Sequence, residues 1–238
     1  MGLKKMKILA IIPARGGSKG VPGKNIKLLN GRPLLAYTAE IALQSKHLTQ
    51  VVVSTEDESI AALARSLGLQ VPFTRPIALA QDTTPTLDVI IHALQWYEKQ
   101  NVFFEAVCLL QATSPFRTVE FLDKAIEKFI QSDCDSLVSV QKVPHEYNPH
   151  WVFELNGEGN LKIATGETRI IPRRQELPNA YHRDGSIYIT KTEVLLAAHS
   201  LYGNSISFIE SDPEFYVNID TMQDWEKAEK MLQNKLKY

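Results

Sequence analysis

Along the first half of the chain, short apolar runs alternate with stretches whose apolar positions recur at helical spacing. Residues 7–12, 51–53, 106–110 and 136–140 read as strands, near-continuously apolar as strands covered on both faces are, and 69–73 as a further short one. Helices are predicted over 33–45 and 59–67, the second closed by Gly68 as its C′ residue. Thr84-Pro85 opens another, with Thr as N-cap and Pro at the first turn, and Leu87, Ile90, Ile91 and Leu94 form its buried stripe. Thr118 starts a helix whose Leu122, Ala125, Ile126, Phe129 and Ile130 share one face. The alternation predicts the α/β class, a three-layer, open, mostly parallel sheet with helices on both faces. Such sheets bind ligands at the carboxyl ends of their strands, which directs attention to the segments after Ile12, Val53, Phe73 and Leu110.

From about residue 143 to 184 the pattern changes. Pro144, Pro149, Pro172 and Pro178 punctuate short strands, and Asn156-Gly157-Glu158-Gly159 signals a hairpin. The segment reads as an arm inserted into a single domain spanning 1–238, placed to meet another subunit. Strands are expected again at 186–190 and 215–217, and a closing helix over 221–236.

Composition narrows the class. Lys plus Arg number 26 against 27 Asp plus Glu, a balance without the basic excess of a nucleic-acid binder. No run approaches a membrane span, and the apolar stretch behind the basic residues 1–7 is too short for a signal-peptide core. Two cysteines exclude a disulfide scaffold, and Cys108, inside an apolar run, reads as a small core residue. A cytoplasmic protein is expected.

The chemistry concentrates in Ile12-Pro13-Ala14-Arg15-Gly16-Gly17-Ser18-Lys19-Gly20-Val21-Pro22-Gly23-Lys24-Asn25. Its glycines let backbone N–H groups approach a ligand, and Arg15, Lys19 and Lys24 add fixed positive charge, a combination suited to a polyphosphate. It is not a P-loop, and it lacks the Gly-x-Gly-x-x-Gly dinucleotide signature. The plainer reading is a basic, solvated turn.

This segment resembles the signature of the acylneuraminate cytidylyltransferases, which make CMP-sialic acid and related CMP-nonulosonic acids. Further blocks follow in that family's order: Val53-Ser54-Thr55-Glu56-Asp57, Arg75-Pro76, Leu79-Ala80-Gln81-Asp82-Thr83, Leu110-Gln111-Ala112-Thr113-Ser114-Pro115-Phe116-Arg117-Thr118, Arg174-Gln175-Glu176-Leu177-Pro178, Asp184-Gly185-Ser186-Ile187-Tyr188-Ile189 and Asn218-Ile219-Asp220. The resemblance implies a Rossmann-like sheet, with CTP over the first loop and a nine-carbon sugar acid beside it. Arg15, Lys19 and Lys24 would stabilise charge at the α-phosphorus and on the departing pyrophosphate, and Ser18 and Asn25 would contact triphosphate or ribose. Arg75, Ala80 and Thr83 would face cytosine, although Arg75 has a second reading as the surface partner of Asp82. Gln111, Thr113, Ser114, Arg174 and Tyr188 would line the acid site, and Arg117 has both a ligand and a structural reading. A homodimer formed through the arm is implied as well, with no nucleic-acid or membrane partner.

Two departures from the family pattern stand out. Asn218-x-Asp220 replaces an Asp-x-Asp pair associated with Mg²⁺, so Asp220 is the expected ligand and Asn218 would act through its carbonyl or a water. Asp220 has a second reading as the cap of the last helix, with Gln223 three residues on. Trp151 stands where sialate-specific synthetases carry a Lys, which turns the substrate expectation from N-acetylneuraminate toward a relative such as legionaminate. His92, on the striped helix, and His145 and His182 have no metal-ligand spacing. The same chemistry on another sugar, and a silent nucleotide- or sugar-binding regulator, are the alternatives.

Overall fold

A computed structural model describes residues 5–235. Its elements, in chain order, are β1 (Ile8–Pro13), β2 (Leu28–Leu29), β3 (Arg32–Pro33), α1 (Leu34–Gln44), β4 (Gln50–Ser54), α2 (Glu58–Ser66), α3 (Thr86–Glu98), β5 (Ala106–Leu110), α4 (Val119–Ser132), β6 (Ser136–Lys142), β7 (Phe153–Leu155), β8 (Leu161–Ile163), β9 (Tyr181–Lys191), α5 (Thr192–Ala197), β10 (Ile206–Glu210) and α6 (Met222–Lys235). The chain divides into two compact units. One runs through Ser139 and resumes at Asp184; the other is Val140–Arg183.

The first unit is built on a six-stranded sheet in the order β10-β6-β9-β5-β1-β4. β1 runs parallel to both β4 and β5, and β9 runs antiparallel to β5 with Tyr188 opposite Leu109. Alternate β1 residues face opposite layers. Ile8, Ala10 and Ile12 join Leu35 and Ala39 of α1, Ile60 of α2 and Leu122, Ile126 and Phe129 of α4 in one buried cluster, while α3 packs on β1 from elsewhere along the chain. This is the three-layer α/β arrangement expected. Cys108 is part of that cluster, and burial pushes its thiol up to about 12.

A smaller core cluster bears directly on the site. Val21 and Leu29 pack with Leu34, Val217, Ile219, Trp225 and Ala228. It seats the segment after the glycine-rich loop against the residues leading into α6.

Several element boundaries differ from the sequence reading, each for a local reason. Residues 69–73 form no strand: only Gln70 bridges to Val52, between Gly68 at φ +84° and Pro72, which has no N–H to donate. Residues 215–217 form no strand either. Asp212 caps a 3-10 turn over Pro213–Phe215, accepting from the Glu214 N–H, and the additional strand is β10. The N-cap of α3 is Pro85 rather than Thr84, whose hydroxyl donates to Ala78 O. Asp220 does not cap α6. Thr221 Oγ1 accepts the Asp224 N–H, and Asp224 accepts the Thr221 N–H at 2.8 Å, a reciprocal box one residue later. The predicted end of α6 at Leu236 lies outside the described residues, as do residues 1–4 of the basic N-terminal stretch.

In the second unit, β7 and β8 form the expected hairpin. Asn156 Oδ1 accepts the Glu158 and Asn160 N–H groups, and Gly159 takes φ +81°. Trp151 Nε1 donates to Ile171 O at 2.7 Å and His150 pairs with Glu167 at 2.8 Å, so both side chains brace the unit itself.

Candidate functional site

The carboxyl ends of β1 and β5 border a cavity of about 320 Å³. Its wall includes Arg15, Ser18, Lys24, Asn25, Arg75, Gln111, Thr113 and Asp220. The sequence reading nominated all of these, and the fold brings them together.

The loop after β1 is held by backbone and side-chain bonds. The Ala14 N–H donates to Ser54 O, and the buried Asn25 amide donates to Arg15 O at 3.0 Å. Asn25 thus braces the loop as well as lining the cavity. Gly23, at φ +62°, turns the chain so that Lys24 points inward. Gly20 lies so close to the Asp220 carbonyl oxygen that a Cβ there would collide with it.

Every cation of the site has a carboxylate partner. Arg15 Nη2 reaches Asp82 Oδ1 at 2.5 Å and Lys19 pairs with the other Asp82 oxygen. Hydrogen bonds from Lys19 and then Arg15 hold the Asp82 carboxyl below its usual range. Lys24 Nζ donates to Ile219 O at 2.8 Å and to Asp220 Oδ1 at 3.1 Å. Arg75 pairs with Glu56 at 2.6 Å, not with Asp82, so the surface-pair reading of Arg75 is overturned. Its guanidinium is buried, and its Nε has no hydrogen-bond partner. That nitrogen is closed off from the cavity, but Arg75 is among the residues that line it, so the residue borders the space a ligand would occupy.

The remaining nominated residues fall outside this cavity. Lys19 is mostly solvent-exposed at its mouth, Ala80 offers its carbonyl to Arg15 Nη1 at 3.5 Å, and Thr83 is exposed, while Gln81, Thr84 and Thr86 line the wall instead. Ser114 faces a neighbouring cavity of about 240 Å³ with Phe116, Arg117, Asp184 and Tyr216, and its buried hydroxyl has no partner. Tyr188 is buried in the sheet, edge-on to Tyr202. Arg174 belongs to the second unit, in a 3-10 turn. Arg117 takes the structural reading: its guanidinium binds Ser186 Oγ, Thr38 Oγ1 and Gln111 O, and burial draws its pKa down to about 10.

Asp220 offers an exposed carboxylate at the rim, steadied by Lys24 and by Asn218 Nδ2 at 2.6 Å. The Asn218 Oδ1 is buried without a partner, beside Gly185. Among the described residues no three His, Cys, Asp or Glu side chains converge as a self-sufficient metal cage. One hard oxygen donor beside a phosphate-sized space suits a magnesium ion that keeps its waters and arrives with a polyphosphate.

The Glu56–Arg75 and Asp82–Arg15 pairings escaped the sequence reading, which had weighed Asp82 only as a partner of Arg75, though both carboxylates lie in the motif blocks. Glu56 directly follows a parallel strand, and that position was the available signal.

A glycine-rich loop carrying cations on one wall and a buried arginine on another, at the ends of parallel strands, defines a nucleotide-binding α/β enzyme. The cytidylyltransferase family model matches residues 9–238, and the chain belongs to that family. It is 39% identical over 236 residues to the CMP-N,N'-diacetyllegionaminic acid synthase of Legionella pneumophila, covering 96% of this chain and 97% of that one. It is 36% identical over 223 residues to the pseudaminic acid cytidylyltransferase of Campylobacter jejuni, covering 94% and 95%. Among solved structures, a CMP:2-keto-3-deoxy-manno-octonic acid synthetase complexed with CTP shares the fold with a TM-score of 0.71 at 18% identity, covering 96% of this chain and 99% of that one.

Proposed function

We propose that this cytidylyltransferase couples CTP to a nonulosonic acid of the legionaminic type, releasing the CMP-sugar acid and pyrophosphate. The observation that carries the reading is the single cavity lined by Arg15, Lys24 and the buried Arg75. Phosphate groups and a base acceptor satisfy the two walls at once. The family relatives named for legionaminic and pseudaminic acid supply the substrate class.

In the reaction, the anomeric hydroxyl oxygen bonds to the α-phosphorus, the bond from that phosphorus to the α–β bridging oxygen breaks so that pyrophosphate leaves with the electron pair, and the hydroxyl proton passes to solvent water. Arg15 and Lys24 exchange their carboxylate partners for phosphate oxygens and stabilise the negative charge that grows on the leaving pyrophosphate. Arg75 fixes the base and so the line of attack. Gln111 and Thr113, which line the same cavity, would orient the acid. Mg²⁺, held by Asp220 together with the triphosphate, would supply further charge neutralisation.

We further propose a cytoplasmic homodimer. The second unit exposes Tyr147, Phe153, Leu155, Leu161 and Ile170, more apolar surface than a lone arm keeps in water, and the two buried cysteines are free, as in a reducing compartment.

Pyrophosphate release, measured with CTP and a panel of legionaminic, pseudaminic and N-acetylneuraminic acids with and without Mg²⁺, tests the reading. The fastest turnover is expected with the legionaminic acid and Mg²⁺. No release with any acid, despite measurable CTP binding, would overturn it.

A further inference from the structure

The segment at the end of β4 has no part in the chemistry described above, yet both walls of the nucleotide cavity are fastened to it. Ser54 O accepts the Ala14 N–H of the phosphate loop, and Thr55 O accepts the Arg75 N–H. Glu56 repeats the connection with its side chain. One carboxylate oxygen accepts the Gly16 N–H at 2.8 Å, and the other accepts Arg75 Nη2 at 2.6 Å. The loop is pressed close here, because a Cβ on Gly16 would run into the carboxylate of Asp57. Asp57 is itself fixed as the N-cap of α2, accepting from Ser59 and Ile60.

We propose that Glu56 is a positioning residue that couples nucleobase selection to the grip on the triphosphate. The inference rests on the reading that Arg75 faces the cytosine. Arg75 is 3% exposed and its Glu56 partner 16%, so the pair is held away from the screening that loosens surface ion pairs. With Nη2 anchored, the guanidinium plane is set, and Arg75 meets the cavity it lines in one orientation. The same carboxylate fixes the Gly16 amide, and through it the turn that carries Arg15 and Ser18. A base that fails to engage Arg75 therefore loosens the phosphate wall too, and selectivity draws on both contacts.

Glu56→Gln keeps the size and an acceptor for Gly16 but leaves Arg75 without a counter-charge. Glu56→Asp keeps the charge but is one methylene too short to span both partners. Equilibrium binding of CTP and UTP, in the presence of Mg²⁺ and without sugar acid, is measured for the wild type, both variants, Arg75→Lys and the Glu56→Gln/Arg75→Lys double variant, alongside thermal melting. The wild type is expected to prefer CTP clearly, and Glu56→Gln to lower the CTP:UTP ratio about tenfold, as loss of one partner from a buried charged pair does. Glu56→Asp should lie between. The double variant should lose little more selectivity than Arg75→Lys alone. If Glu56→Gln or Glu56→Asp weakens both nucleotides equally and keeps the wild-type ratio, Glu56 is only a structural brace and the proposal is overturned. A wild type that binds CTP and UTP alike would instead remove the base-reading role of Arg75, and one that binds neither would remove the nucleotide site.

Discussion

The two walls of the nucleotide cavity carry the same ingredients, cations paired with carboxylates, in opposite settings. On the base wall Arg75 and Glu56 are buried together, and on the phosphate wall Asp82 is 37% exposed, paired with Arg15 on the wall and with Lys19 at the mouth. Exposed pairs are worth little and exchange partners readily, whereas a buried charge that loses its partner is strongly destabilised. The phosphate wall can therefore trade carboxylates for phosphate oxygens at small cost, while the base wall keeps its pair and reads the ligand with what remains. Lys24, with 13% of its side chain exposed, sits between these extremes: it is fixed by Ile219 O and still shares Asp220.

The largest effect should come at Lys24. Lys24→Met keeps the stem in place and removes the charge, and steady-state turnover should fall about 10²- to 10³-fold, as when one transition-state donor is lost, with melting shifted by only a few degrees. Near-normal turnover would leave Lys24 a strut and break the comparison. Asp220→Ala should raise the Mg²⁺ concentration needed for half-maximal activity about tenfold, since one protein oxygen is lost from a site otherwise filled by water and phosphate. An unchanged metal titration would confine Asp220 to partnering Lys24. Asp82→Asn sharpens the contrast from the other side. With its counter-charge gone the exposed wall should bind CTP a few-fold more tightly at low salt, and the gain should fade as ionic strength rises. Weaker binding at every salt concentration would mean that Asp82 holds the loop in place. The smallest change is expected at Thr221→Ala, which opens the box at the start of α6. Removing such a cap costs about 1 kcal/mol, or roughly 2–4 °C in a chain of this size, and CTP binding should stay as it was; a shifted CTP affinity would extend the site into the helix start.

How much of this was visible in the sequence depends on how local each signal is. The loop after β1 announced itself because its glycines and cations lie within one short stretch, and its chemistry needs no distant partner to be recognised. The strands of the parallel core were equally plain, each carrying a continuous apolar run. Arg75 was nominated as a base reader, but its partner was not: Glu56 reaches it only because β4 and the bridge at Gln70 lie side by side, a juxtaposition that composition does not encode. The pairing of Asp82 with Arg15 rather than Arg75 has the same origin, since 67 residues separate the two. At 215–217 the β-prone side chains were overridden by Asp212 and Pro213, whose turn chemistry acts first. The box at Thr221 was displaced by one residue because Asp220 and Thr221 are both good caps, and only the backbone path decides between them.

Gly20 ties together two stretches of chain that a reader of the sequence would treat as unrelated. Its α-carbon rests on the Asp220 carbonyl, so any larger residue there must push the lysine-bearing turn and the rim carboxylate apart. Neither stretch can drift without the other. In this chain a bulkier residue at position 20 would therefore redraw the cavity's rim, not only its loop.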